Sequence, residues 1–485
     1  MSCSIRNLSI SIFCVVLSAC GGDTGSDSGA SSGGNNTGNI SQSSPVVTKG
    51  WNTQTQISSS RSDFDYDLLL PDVDINDSGL AVSAWVEEFN SSPADLPSIW
   101  VNVIQSGVEG TPFKITTSTS TTPKVAVSNN GDAIVIFDRL GLDNGGISSR
   151  SIWARHYKNG VWESSEIAVS GLPANDYSFY AFSPDIGIDQ DGNAIAVWTQ
   201  QDSNAANTST IIYASYYDGT NWGAPFRLNN ATTRAFEATI AMNDSGIATV
   251  VWSEDTNPYN PSSPGYEIPN MWARVFINSS WVAPVKIGTP TLQRYDGTSR
   301  QDVAINSNGN AIAVWEEGQG SNFNIVESRL DVNSNIWSTA NPIATSTKYV
   351  SYTRAVMLEN GDAAVIWAAD NGTTNDGVIR YFDSSANTWL DSEYYEAISN
   401  SVFYSHIGSD GQDNVYVTWT QFITGSSMKQ FSRKYSLLYG WTDYGSVSSG
   451  FDFSMASNFN GEVILVNFKD VGIFDEAAFS TYYLP

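Results

Sequence analysis

The chain of 485 residues is 41% hydrophobic and carries 50 acidic against 23 basic residues, a formal net charge of −27. A field of that sign repels nucleic acid and anionic lipid surfaces and argues against both as direct partners. All three cysteines lie within the first twenty residues and only two histidines follow, so neither a disulfide framework nor a multi-histidine zinc centre is available.

The N-terminus has one cation, Arg6, then the apolar run "ISIFCVVLSA" and Cys20. That pattern reads as a secretory signal segment, too short to stay across a bilayer. Residues 17–20, "LSAC", resemble the bacterial lipobox. The resemblance implies removal of residues 1–19 and acylation of Cys20, so that the protein meets the membrane only through its lipid. Gly21 and Gly22 stand where enterobacterial lipoproteins of the inner membrane carry Asp, which implies the outer membrane. Residues 21–48 are rich in Gly, Ser, Asn and Thr without a hydrophobic pattern, and with Cys20 they form a flexible tether reaching roughly 30 Å.

From residue 49 onward one phrase recurs, "NGNAIAVW" at 308–315 being the clearest copy. Aligned on the turn residue, the copies centre on Gly79, Gly131, Gly192, Gly246, Gly309, Gly361, Asp413 and Gly461. A short strand precedes each turn, and an apolar strand follows that ends in Trp85, Phe137, Trp198, Trp252, Trp315, Trp367 or Trp419. In the eighth copy Asn467 holds that place, with Phe468 next to it. Gly, Asn and Asp accept the positive φ of a tight turn, so each copy predicts a β-hairpin. A third strand comes next, as in "SIWARHY" and "NMWARVF", and then a fourth opening on Trp, as in "WGAPFRL". Four antiparallel strands repeated eight times predict an all-β, eight-bladed β-propeller over residues 49–485. The last copy stops after three strands, and "GWNTQTQIS" at 50–58 supplies the missing fourth, closing the ring and hiding two edges. Seven blades is the alternative if the eighth copy is something else.

All 16 Trp occupy repeat positions, six ending second strands, seven opening fourth strands and three on third strands. A residue needed once per blade is a packing wedge rather than a ligand platform. The position five before the turn is mostly small (Ala126, Gly187, Ala241, Ala304, Gly408, Ala456), as crowding at the axis requires; Asp74 and Val356 depart from it.

No GxSxG elbow, HExxH, Walker loop or cysteine metal site is present, so no metal site and no cofactor are expected. The acidic turns "DQDGN" and "NDSG" superficially resemble calcium loops but lack twelve-residue spacing and a closing Glu. Asx-turns account for them, and only loosely bound calcium stays open. The turns "DGTNW" and "NGVW" look like degraded Asp-boxes, a structural device from which no activity follows. The variable loops, such as 253–270 and 170–184, gather on one face and are the natural place for binding.

On that face the residues seven before the turn do not repeat: Asp72, Lys124, Asp185, Thr239, Asp302, Arg354, His406 and Ser454. Past the Trp position lie Glu87, Glu88, Glu254, Asp255, Glu317 and Asp370, predicting an acidic mouth with two or three cations in it. Asp302, Glu317, Arg354, His406, Asp185 and Asp72 are the ligand-binding candidates. An Arg with Tyr352, Tyr404 and His406 nearby resembles the toolkit of polysaccharide lyases, some of which are propellers. That resemblance implies Arg354, His406, Tyr352 and Tyr404 as catalytic candidates; the plain reading is a ring of ion pairs and hydrogen bonds. The repeats are similar to those of uncharacterised secreted bacterial propeller proteins, and the setting resembles, in architecture only, the eight-bladed lipoprotein of the outer-membrane assembly machinery. The expected function is a lipid-anchored, non-catalytic module binding an envelope protein or glycan, with a glycan-active enzyme as the alternative. Oligomeric state is not legible.

Overall fold

Asn306 shows how each repeat begins. Its side-chain oxygen accepts the Asn310 amide at 3.1 Å and its carbonyl accepts the Gly309 amide at 2.9 Å, while Gly309 takes φ +88°. Asn76, Asp189, Asn243, Asp410 and Asn458 accept the corresponding amide in their own copies. The acidic turns therefore spend their side chains as Asx-turn acceptors. In the seventh copy the left-handed residue is Gly411, with φ +69°, and not Asp413; Asp410 still caps the turn, so the hairpin survives with its glycine two residues earlier.

The computed structural model describes residues 50–59, 66–89, 96–143, 146–172, 180–201, 210–230, 233–255, 270–289, 301–319, 322–396, 400–423, 427–436, 439–442, 445–471 and 476–485. Signal segment, Cys20, tether and the centres of the loops at 170–184 and 253–270 lie outside them. All described strands belong to the compact unit Val47–Pro485.

Eight innermost strands follow one another: Tyr66–Ile75, Ser120–Val127, Tyr180–Ile188, Ala235–Met242, Gln301–Ile305, Val350–Met357, Val402–Ser409 and Phe451–Ser457. Each opens an antiparallel meander, which we number blades 1 to 8. Six sheets hold one blade each, and a nine-stranded sheet holds blades 2 and 3, joined by one parallel pairing, Arg150 with Tyr180. Blade 8 is completed from the other end of the chain, Gly50 pairing with Leu484 and Gln56 with Phe479. Asn467, standing where six other blades have Trp and blade 2 has Phe137, ties down this closing segment by accepting from Gln54 Nε2 at 3.0 Å. The protein is an eight-bladed β-propeller.

The outermost strand is not continuous as expected; in most blades it is two short pieces, as with Val161–Trp162 and Ile167–Ala168 in blade 2. A recurring third-strand arginine fills the break. Arg155 Nε donates to Glu163 O at 2.8 Å within its blade and Nη1 to Ile115 O of blade 1 at 2.6 Å, with its guanidinium over Phe113. Arg274 repeats this between blades 4 and 3, through Val282 O, Leu228 O and the ring of Phe226. Arg380 and Arg433 do so between blades 6 and 5 and between 7 and 6. Each is a bidentate staple between neighbouring sheets, and Arg155, Arg274 and Arg433 also cover an aromatic face.

Between sheets lie the wedges. Trp85, Trp198, Trp252, Trp315, Trp367 and Trp419 are all at most 3% exposed, so the packing role expected of them is what the structure shows. Near the axis the sheets almost touch: a Cβ on Gly187 would lie 2.5 Å from Met242 Cβ of the next blade.

Candidate functional site

The unexpected feature of the innermost strands is a bulge. Leu70, Thr122, Ser183, Glu237, Tyr352, Tyr404 and Asp452 all have φ between +38° and +59°, and all lie nine residues before the turn position. Pairing with the second strand slips at this point, for example between Ser351 and Arg354 and between Phe403 and His406. A left-handed non-glycine residue costs on the order of 1–2 kcal/mol, so the propeller stores strain in a row at one end of its axis. The available signal was proline at the next position, Pro71, Pro123 and Pro184, whose missing amide suits a bulge.

Two residues after the bulge comes the non-repeating row, and its carboxylates follow a rule. Asp72 Oδ2 accepts the Val125 amide of blade 2 at 2.8 Å, Asp185 Oδ2 the Ile240 amide of blade 4 at 3.0 Å, and Asp302 Oδ2 the Ala355 amide of blade 6 at 2.9 Å. His406 of blade 7 also reaches blade 8, but as a donor, its imidazole bonding the Phe453 backbone carbonyl and packing on the Phe453 ring at 4.8 Å. The innermost strand is an edge with backbone groups facing the axis; in blades 2, 4 and 6 a carboxylate from the preceding blade satisfies an amide, and in blade 8 His406 satisfies a carbonyl. Asp74 adds a second latch from blade 1, accepting the Val127 amide at 2.7 Å.

Even-numbered blades 2 and 6 bring the cations. Lys124 Nζ lies 3.2 Å from Asp72 Oδ1, with 44% of its side-chain surface accessible. Lys124 also feels the charges of Asp185 and Arg354, which places its ammonium among the groups of this axial row. Arg354 Nη1 donates to the Thr353 carbonyl at 3.1 Å. Burial raises the carboxyls of Asp185 and Asp302 above the usual range, against the opposing pull of Lys124 and Arg354 respectively. Burial likewise pushes Asp74 up to about 7. His406 is pushed down to about 3, by burial first and then by Arg354 and Lys124. Above this row Tyr352 and Tyr404 pack together, ring centroids 5.6 Å apart and planes tilted by 52°, with Tyr404 38% exposed.

Arg354, His406, Tyr352 and Tyr404 are thus brought together on blades 6 and 7, and Asp302 adjoins them on blade 5. Asp185 and Asp72 sit in the same row on blades 3 and 1. Glu317 does not join them: it is 8% exposed and accepts the indole N–H of Trp315 at 3.0 Å. Glu87, Gln200, Glu254 and Gln421 cap Trp85, Trp198, Trp252 and Trp419 in the same way. The acidic mouth expected from these Glu residues is therefore replaced by a buried row of caps, because an indole inside a sheet interface needs an acceptor. The sequence carried the sign: Trp is followed two residues later by Glu or Gln in those five blades, whereas Phe137, with no N–H, is followed by Arg139. His156 is structural as expected, fully buried, accepting from Trp222 Nε1 at 3.1 Å and pushed down to about 4 by burial.

At the hairpin-turn end the axis is bridged by side chains, Asn129 Nδ2 donating to Asp77 Oδ2 of blade 1 at 3.2 Å and Asp244 Oδ2 of blade 4 at 2.9 Å. No group of acidic, His or Cys side chains among the described residues has the arrangement of a metal site.

No family model matches the chain, and no curated protein matches it. Solved structures that resemble it include an ulvan lyase, a polysaccharide lyase, at 9% identity with 89% of this chain and 96% of that chain covered and a TM-score of 0.46. A Dyadobacter fermentans protein of unknown function aligns at 13% identity over 64% of this chain and 96% of that one, TM-score 0.41. The NanB sialidase of Streptococcus pneumoniae aligns at 12% identity over 77% and 68%, TM-score 0.38. At this level of likeness no residue role transfers from them.

Proposed function

We propose that the protein is a non-catalytic binding module that takes a glycan at the bulged end of its axis, and that Cys20 anchors it by lipid to a bacterial outer membrane. The observation that carries the binding role is the Tyr352–Tyr404 pair, held out by two left-handed bulges at the mouth of a polar axial ring. Rigid, amphipathic tyrosine faces give contact area at small entropic cost. Backbone strain maintained at such a place is a mark of a functional surface.

Binding is favoured over turnover by the state of the acid–base candidates. A histidine near 3 is a weak base at neutral pH, and burial pushes Tyr404 upward from its ordinary value. Efficient proton transfer wants groups matched to the working pH. The axial carboxylates, for their part, are engaged in latching blades together.

The test is calorimetric titration of the full chain with a panel of neutral and acidic oligosaccharides, with product analysis on the same samples. At least one is expected to bind, to lose tenfold or more in affinity with Tyr404→Ala, and to be recovered intact. Absence of binding across the panel, or cleavage of the bound sugar, would overturn the reading.

A further inference from the structure

The axial ring holds both signs of charge, but its two signs are not equally occupied. Asp72, Asp185 and Asp302 each give an oxygen to a backbone amide of the next blade, and Asp185 also accepts from Thr239 Oγ1 at 3.0 Å. A guanidinium offers five N–H donors. Among the described residues Arg354 uses one of them, on its neighbour's carbonyl, and no carboxylate lies within ion-pair distance of it. Lys124 uses one of three, on Asp72.

Ring order sets the relation between these two cations. Blade 2 and blade 6 are four apart in either direction around eight blades, so Lys124 and Arg354 face each other across the axis. They are close enough for each to act on the other, and His406 feels both. Two like charges held toward one another, with donors to spare, form a receptor for an anion placed between them. The Asn129 bridge narrows the far end of the axis, so such an anion enters from the tyrosine side.

We propose that the axial mouth recognises an anionic group of a sugar, a carboxylate or sulfate, held between Arg354 and Lys124 while the sugar body rests on Tyr352 and Tyr404. This rests on the glycan-binding reading and names its ligand class. A free anion and a sugar-borne one share this chemistry, and a neutral sugar lacks it.

The experiment compares three probes on the full chain: inorganic sulfate, trigalacturonate and maltotriose. Binding is followed by calorimetry and by the imidazole resonances of His406 and His156, the chain's only two histidines. Trigalacturonate is expected to bind at least tenfold more tightly than either other probe, to weaken as salt rises, and to shift His406 while leaving His156 in place. Arg354→Gln is expected to lower its affinity tenfold or more, Arg354→Lys to lower it less, and Lys124→Gln to lower it severalfold. Glu359→Gln, on the hairpin-turn end, is the control and should change nothing. Sulfate binding as tightly as the trimer would make the site one for free anions and overturn the sugar assignment. Maltotriose binding equally well, lost with Tyr404→Ala but indifferent to Arg354→Gln, would overturn the anion assignment and leave the glycan reading standing. No binding of any probe would overturn both.

Discussion

Replacing Glu317 separates a buried cap from a ligand group. Its Oε1 accepts from Trp315 Nε1 at 3.0 Å, and the two side chains are 8% and 1% exposed. Glu317→Ala removes the acceptor and leaves an indole N–H buried in a sheet interface, which costs about 1–3 kcal/mol. Glu317→Gln keeps a carbonyl oxygen at the same distance from the backbone, as Gln200 and Gln421 already do for Trp198 and Trp419, and is expected to cost less than about 1 kcal/mol. The assay is urea unfolding of wild type and both variants followed by Trp fluorescence, comparing midpoints at equal slope. Binding of the tightest oligosaccharide should be unchanged in Glu317→Gln. Equal destabilisation by Ala and Gln, or loss of binding in Gln with stability intact, would refute the cap and return Glu317 to the mouth.

Arg274→Lys should destabilise nearly as much as Arg274→Ala, by about 2–3 kcal/mol, because an ammonium cannot bond Val282 O and Leu228 O together while lying over Phe226; unfolding curves that leave Lys close to wild type would contradict the staple. Ile57, 1% exposed in the closing segment, should cost about 2–5 kcal/mol when replaced by Ala, and proteolysis should then start at the junction of blades 8 and 1. Stability should also respond to acid through His406. Unfolded histidine takes up a proton below about 6.5, whereas His406 in the fold does so only near 3, so stability falls as pH drops through that window. Asp74 works in the opposite sense, being protonated near 7 in the fold and only near 3.8 when unfolded, so its share of stability rises as pH falls from 7 toward 4. Urea midpoints of His406→Gln at pH 7, 5 and 4 should therefore drop less steeply with acid than those of wild type.

The repeats made the architecture legible because each blade must solve the same problems: a turn needing positive φ, a wedge between sheets, and little room at the axis. Blade number and closure by residues 50–58 followed from counting those solutions. What the repeats concealed was the purpose of polar residues at fixed offsets. Glu317 reads as a mouth acid only until the Trp two residues before it is seen to need an acceptor. The latch by Asp302 depends on an amide 53 residues away in the next sheet, a relation that strand patterning does not display. The bulge at Tyr352 and Tyr404 was hidden because neither residue is one that favours left-handed backbone. The arginine staples lay open in "WARHY" and "WARVF" but read as ordinary strand residues until the break in the outermost strand was visible.

The most direct measurement is a crystal structure of the full chain with the tightest oligosaccharide of the panel. A sugar ring seated on Tyr352 and Tyr404, with a polar group reaching Arg354, is the expected result. Density for the sugar on the outer rim or at the Asn129 end, with the bulged mouth empty, would contradict it.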